Sequence, residues 1–290
     1  MIDVLDLGAS LYIPGTKLNF ASFLEKNKHI KSIIIDTEDS IHAIDIPFAE
    51  KNIVIELNKL SDMDYKKPFI FLRVKDPNHL NKMKNHTIST LIDGYVIPKY
   101  NYITAPKYNQ FITTDDVIMP ILENELFNKG HLSECISHIE QIREMILCVR
   151  VGITDLFNLF SLRRPKDSNI YQHPLGARII TELLINLNTL NLNLSGPVFE
   201  SYSESSSKSL IDEVRTEVSM GIYTKSSIHP DQILHIENQY KVLLSDFEVA
   251  QMLISKSSSV FGHKLVMQEI ATHLNWAKNI IKRADVYGTV

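Results

Sequence analysis

The chain has 290 residues, 44% hydrophobic and 22% charged, with a formal net charge of −4. That is enough chain for a sizeable buried core, and the composition is that of an ordinary globular protein. The mildly negative balance, with no basic stripe, argues against a nucleic-acid surface.

Apolar, strand-like runs occupy 10–14, 32–36, 69–73, 94–98, 117–123, 146–151, 198–200 and 223–229. Continuous apolar runs are what parallel strands buried on both faces show. Helical stretches alternate with them. The first, 17–28, places Leu18, Phe20, Phe23 and Leu24 near one face; the second, 48–59, turns Ile53, Val54 and Leu57 inward. Further stretches fall at 131–143, 175–190 and 210–220, the last with Leu210, Val214 and Val218 at helical spacing. Eight strand–helix repeats predict an α/β fold, a (β/α)8 TIM barrel, over an open doubly wound sheet. Beyond Pro230 the pattern changes to helices over 231–244, 246–256 and 264–282. Residues 1–233 are therefore assigned to the barrel and 234–290 to a C-terminal helical extension.

Two segments interrupt the alternation. Residues 160–176 form a long connection carrying Arg163, Arg164, Lys166 and Asp167, a candidate lid or substrate contact. Residues 201–209 are serine-rich and read as a solvated loop. No apolar run approaches the roughly 18 residues of a membrane span, and the acid-bearing N-terminus does not read as a signal peptide. Cys135 and Cys148 are the only cysteines; they fit neither a zinc pattern nor a disulfide framework and read as packed thiols in a reducing cytoplasm.

The chemistry-bearing residues cluster just after the strand runs, where a barrel enzyme builds its site. Asp36, Glu38, Asp39, Arg73, Lys99, Glu123 and Asp155 all fall there. Glu123 and Asp155 are either a pair of divalent-metal ligands or two exposed loop acids. Arg73 either pairs with a rim acid such as Glu38 or grips a substrate carboxylate. Pro14-Gly15 makes a tight turn whose amide could approach an anion. His229 reads as a hydrogen-bonded structural residue rather than a base. The sequence contains no Ser/His/Asp motif, P-loop or dinucleotide glycine fingerprint.

Taken in order, these segments resemble the HpcH/HpaI aldolase and citrate lyase beta-subunit family of the phosphoenolpyruvate/pyruvate barrel superfamily. The carrying segments are Leu11-Tyr12-Ile13-Pro14-Gly15, Ile34-Ile35-Asp36-Thr37-Glu38-Asp39-Ser40, Ala49-Glu50-Lys51, Leu72-Arg73-Val74, Asp93-Gly94 through Pro98-Lys99, Pro120-Ile121-Leu122-Glu123, Gly152-Ile153-Thr154-Asp155-Leu156 and Lys225 through Gln232.

The resemblance implies a Mg2+-dependent carbon–carbon lyase or aldolase, acting on a small anionic hydroxy or 2-oxo acid, a CoA thioester or a phosphorylated compound. It makes Glu123 and Asp155 the metal ligands, and Arg73 the carboxylate grip and enolate stabiliser. Glu38 and Asp39 support the catalytic step. Pro14, Gly15, Lys99, Gly152, Ile153 and Thr154 are implied to bind substrate; Arg163 and Arg164, on a 160–176 connection that is unusual for the family, are expected as further anion contacts. A homotrimer or other homo-oligomer is implied, with the extension packing on a neighbouring subunit. The chain departs from the family near its C-terminus, where Met267 stands in place of an acid. The alternatives are a metal-dependent thioester or ester hydrolase, and a non-catalytic barrel subunit of a biosynthetic or stress-resistance system.

Overall fold

Ser32-Ile33-Ile34-Ile35-Asp36 shows how the sheet is built, since all five residues are buried. Ile34 joins an inner cluster with Phe71, Val96, Met119 and Cys148, while Ile33 and Ile35 join the larger cluster beneath the helices. Alternate side chains of one strand thus feed two apolar layers, as a strand inside a barrel wall must.

The computed structural model describes residues 2–123, 126, 130–255, 260–263 and 266–290. The barrel strands are β1 (Ala9–Pro14), β2 (Ser32–Asp36), β3 (Phe69–Arg73), β4 (Gly94–Ile97), β5 (Ile118–Leu122), β6 (Arg150–Val151) and β7 (Lys225–Ser227). They form one parallel sheet in the order β6-β5-β4-β3-β2-β1-β7. The helices on its outer face are α1 (Phe20–Lys26), α2 (Ile46–Ser61), α3 (Pro77–Lys84), α4 (Ala105–Asn109), α5 (His131–Gln141), α6 (Ile153–Leu159), α7 (Pro174–Asn188), α8 (Ser207–Ser219) and α9 (Pro230–Glu237). This is the expected barrel architecture.

The seventh stave differs from expectation. Residues 198–200 form no strand; the gap between β6 and β7 is filled instead by 194–196. Leu194 bridges to Val149 and Gly196 to Lys225, both in parallel. Ser195 N–H donates to the Val149 carbonyl at 2.8 Å, and Gly196 N–H to that of Thr224 at 2.8 Å. Glycine is required here by close approach. A Cβ on Gly196 would lie 2.6 Å from Glu217 Oε2 on α8.

Smaller differences have local causes. Leu18 is exposed because α1 begins only at Phe20. The helix expected over 231–244 stops at Glu237. Of the serine-rich segment, Ser201 and Ser206 are buried and hydrogen-bonded to each other at 2.5 Å.

After the barrel come α10 (Leu244–Ser255), a hairpin of β8 (Val260–His263) and β9 (Val266–Glu269), and α11 (Ile270–Tyr287). α10 and α11 pack on each other through Ala250, Leu253, Ala277 and Ile280. The chain end is tied to the N-terminal side of the barrel: Tyr287 Oη donates to the Leu5 carbonyl at 2.6 Å. The helix start expected at 264, like the side chain of Met267, lies outside the described residues.

Candidate active site

Period-two alternation decides which side chains enter the barrel mouth. The parity that turns Ile34, Phe71 and Ile121 into the inner cluster turns Asp36, Arg73 and Glu123 inward two residues later. A cavity of about 320 Å3 lies at these strand ends, lined by Tyr12, Asp36, Asp39, Arg73, Glu123, Arg150, Ser226 and residues 152–155, among others.

One wall is an ion-pair cluster. Arg73 donates from Nε to Asp36 Oδ1 and from Nη2 to Asp36 Oδ2, both at 2.6 Å. Its Nη1 lies 3.3 Å from Glu38 Oε2 and 3.4 Å from Asp39 Oδ2. Of the two alternatives for Arg73, pairing with an acid is thus the arrangement seen, and the principal acid is Asp36. Burial alone would raise the Asp36 pKa, but the Arg73 fork outweighs it and holds the carboxyl below the ordinary range. Glu38 is pushed up to about 7, first by burial and then by a hydrogen bond shared with Asp39, against the pull of Lys99 and Arg73. Lys99 Nζ also donates to Glu38 Oε1.

Lys99 joins this wall to the next. Its φ of 50° is left-handed, a conformation that costs a non-glycine residue roughly 1 kcal/mol. That turn lets its backbone N–H donate to Glu123 Oε1 at 2.5 Å. Glu123 and Asp155 are neighbours, and a Cβ on Gly152 would lie 2.8 Å from Glu123 Oε2 and 3.3 Å from Asp155 Oδ2. The bare glycine leaves room for the two carboxylates to converge. Burial, then the Asp155 charge, push Glu123 up to about 8. Two carboxylates brought this close fit a divalent ion completed by water and substrate oxygens. Among the described residues, no cluster of three or more His, Cys, Asp or Glu side chains is placed to hold a metal; the donor set here is a pair.

Other expected contacts are not brought to the cavity. The Gly15 amide donates to the Asp36 carbonyl at 2.8 Å, so it is not free for an anion, and Pro14 does not line the cavity. Gly152 N–H is likewise taken by the Leu122 carbonyl at 2.9 Å, although Gly152, Ile153 and Thr154 do line the cavity. Arg164 does not line this cavity. It is buried, paired through Nη2 with Glu213 Oε2, and donates to the carbonyls of Ser168 and Val198. It pins the 160–176 connection down instead of arming a lid. Arg163 is exposed and belongs, with Arg164, Lys166 and Glu200, to a separate surface depression. His229 accepts from the Asp231 amide at 3.3 Å as the cap of α9 and stacks on Tyr202, a structural role.

The family model described as a C-C bond lyase of the TIM-barrel fold matches residues 1–289. The chain belongs to this C-C bond lyase family. Its fold is similar to CitE from Mycobacterium tuberculosis in complex with magnesium, acetoacetate and coenzyme A, at 15% identity and TM-score 0.67, over 96% of this chain and 98% of that one. It is similar to a citrate lyase from Burkholderia xenovorans LB400 at 14% identity and TM-score 0.71, over 98% and 93%. It also matches the citrate lyase beta subunit from M. tuberculosis complexed with oxaloacetate and magnesium, at 15% and 0.59, over 82% and 99%. At such identities the likeness is one of fold. No curated protein matches the sequence.

Within this lyase-family cavity the sequence reading missed Tyr12, Arg150 and Ser226. Tyr12 lies under the Arg73 guanidinium, 5.4 Å from its ring centre. Burial raises its pKa against the pull of Arg150 and Arg73. The signal for Arg150 was present: a lone arginine in the apolar run 146–151, two residues before Gly152 and hence on the same inward face.

Proposed function

We propose that the chain is a Mg2+-dependent carbon–carbon lyase of the aldolase or citrate-lyase-like kind. It would cleave a small hydroxy acid, or its thioester, reversibly to a 2-oxo acid and an enolate-derived product. The observation that carries this reading is the convergence of Glu123 and Asp155 over Gly152 beside the Arg73 cluster.

Glu123 and Asp155 would hold Mg2+, which supplies Lewis-acid polarisation of the substrate oxygens when bound. The protein's own groups do the rest. Asp39 lines the cavity and shares a hydrogen bond with Glu38, whose pKa of about 7 suits proton exchange near neutrality. This pair takes the substrate hydroxyl proton. The C–O bond becomes a carbonyl, the C–C bond breaks, and its electron pair leaves as an enolate that is then protonated. Arg73, fixed by Asp36 before substrate arrives, faces the negative charge as it develops.

Further parts of the reading concern assembly and compartment. Exposed Ile254 and Trp276 on the C-terminal segment fit packing against a neighbouring subunit of a homo-oligomer. The buried free thiols of Cys135 and Cys148 fit a reducing cytoplasm. No helix among the described residues is long and apolar enough to cross a membrane.

The test is a panel of short hydroxy acids and their CoA thioesters, incubated with Mg2+ and a hydrazine that traps carbonyl products. A trapped 2-oxo acid that disappears with E123A supports the lyase. Release of acid and thiol without any carbonyl product would identify a hydrolase and overturn it.

A further inference from the structure

Arg150 has no part in the chemistry just described, yet among the described residues no acid pairs with its charge. It is 1% exposed and lines the cavity wall. Its Nη2 donates to Ser10 Oγ at 2.7 Å, and its Nη1 to Ser226 Oγ at 3.1 Å and Ser195 Oγ at 3.4 Å. Its Nε has no hydrogen-bond partner among the described residues. These partners are neutral hydroxyls. Arginine stays protonated in proteins, so this is a charge withdrawn from water without a counter-ion, an arrangement that costs folding free energy. Arg73 is the contrasting case, with Asp36 satisfying two of its donors.

Position completes the argument. Arg150 pairs with Ile121 across β5 and β6, and Glu123 and Gly152 each follow two residues later. Two residues of strand set the backbone of Arg150 about 6.6 Å below the backbone of Gly152 along the strand direction, and both residues line the one cavity. With Mg2+ at Glu123 and Asp155, an acid held there through the cation by one end would have its other end toward the guanidinium if its carbon chain is short.

We propose that Arg150 is a substrate-binding residue that takes a second carboxylate, so that the site selects a short dicarboxylic acid over its monocarboxylic analogue. The proposal rests on the lyase reading for where the first carboxylate sits. Ser10, Ser195 and Ser226 hold the guanidinium in place without neutralising it, which leaves its charge for the ligand. The cavity, about 320 Å3, suits a small acid.

The test uses calorimetric binding of oxaloacetate and pyruvate in the presence of Mg2+, two 2-oxo acids that differ by the distal carboxylate. Wild type should prefer oxaloacetate by about tenfold or more, as expected for a buried charge-assisted contact. R150M should lose that preference while keeping its affinity for pyruvate and for Mg2+; R150K, which keeps the charge but not the fork, should retain part of it. Without ligand, R150M should be at least as resistant to urea as wild type, because an apolar side chain replaces an unpaired buried charge. No preference in wild type, binding of neither acid, or an unchanged preference in R150M overturns the proposal. So does destabilisation or misfolding of R150M together with full preference in R150K, which would make Arg150 a structural post. Turnover is not part of the readout: cleavage of a hydroxy acid without the preference would defeat this inference alone, and the preference without cleavage would defeat the lyase reading alone.

Discussion

Arg73 meets Asp36 in a two-bond fork, both bonds 2.6 Å, at the paired ends of β2 and β3. The residue that should face developing charge in the substrate is therefore fixed before substrate arrives. Asp36→Asn removes the charge and one fork acceptor while leaving the shape. It should cut kcat about a hundredfold, the effect of disturbing one preorganised electrostatic group, with Mg2+ affinity unchanged. Steady-state kinetics beside a metal titration check this; equal loss of metal affinity would show that the two walls do not act separately.

Glu123→Ala should abolish Mg2+ binding and leave the fold intact. Its carboxylate accepts one backbone hydrogen bond, from Lys99, and removing it relieves repulsion with Asp155. Calorimetric titration with Mg2+, beside a thermal melt, measures both. Normal metal binding by the variant would refute the ligand assignment.

Gly152→Ala probes the same pair sterically. Its φ of −84° is ordinary for any residue, so the added methyl acts only by contact with Glu123 at 2.8 Å and Asp155 at 3.3 Å. Pushing the carboxylates apart should weaken Mg2+ binding about tenfold or more, on the scale of a disturbed metal-site support. Unchanged metal affinity would mean that the close approach is not what positions the pair.

Arg164→Ala should behave as a core mutation. The guanidinium is buried with Glu213, which also accepts from Lys225 at 2.9 Å and from the Ile170 amide at 2.7 Å. Breaking a buried pair typically costs about 3 kcal/mol or more, and urea unfolding should show it. Arg163→Ala, at an exposed position, should change stability little. A changed KM with unchanged stability in R164A would restore the anion-contact reading.

Glu217 gives the fold a pH signature. Burial raises it from 4.5 to about 7, partly opposed by Lys225 and reinforced by Glu213. The native state therefore keeps a proton that the unfolded chain releases near pH 4.5. The contribution is fully present below that pH and is lost as pH rises through 7; at about 1.36 kcal/mol per pKa unit it amounts to about 3 kcal/mol at most. Urea midpoints of wild type should fall between pH 5 and 8 by more than those of E217Q. Parallel profiles would place the proton elsewhere.

Six of the eight expected barrel strands overlap observed strands directly in β1 to β6, and the eighth expected run contains β7. Isoleucine-rich runs buried on both sides have few other places to go. The seventh failed because 194–196 pairs through two single bridges and carries Ser195 and Gly196, which give no apolar signal, whereas Val198 and Phe199 do. The acids and arginine of the site were readable for the same reason as the strands: they stand at run ends, where chain direction alone puts them on one rim.

What the sequence determined by itself was the alternation of strands and helices and the identity of the residues delivered to the barrel mouth, both of which are local properties of spacing and polarity. Only the tertiary structure decided how the charges are shared out. Asp36 occupies the Arg73 fork, Glu213 draws Arg164 into the core, and Arg150 is left among serine hydroxyls with no carboxylate of the described residues to meet it. Such pairings form between segments distant in sequence and depend on distances of a few ångströms, over which electrostatic energy in a buried site changes steeply, so linear order carries no record of them.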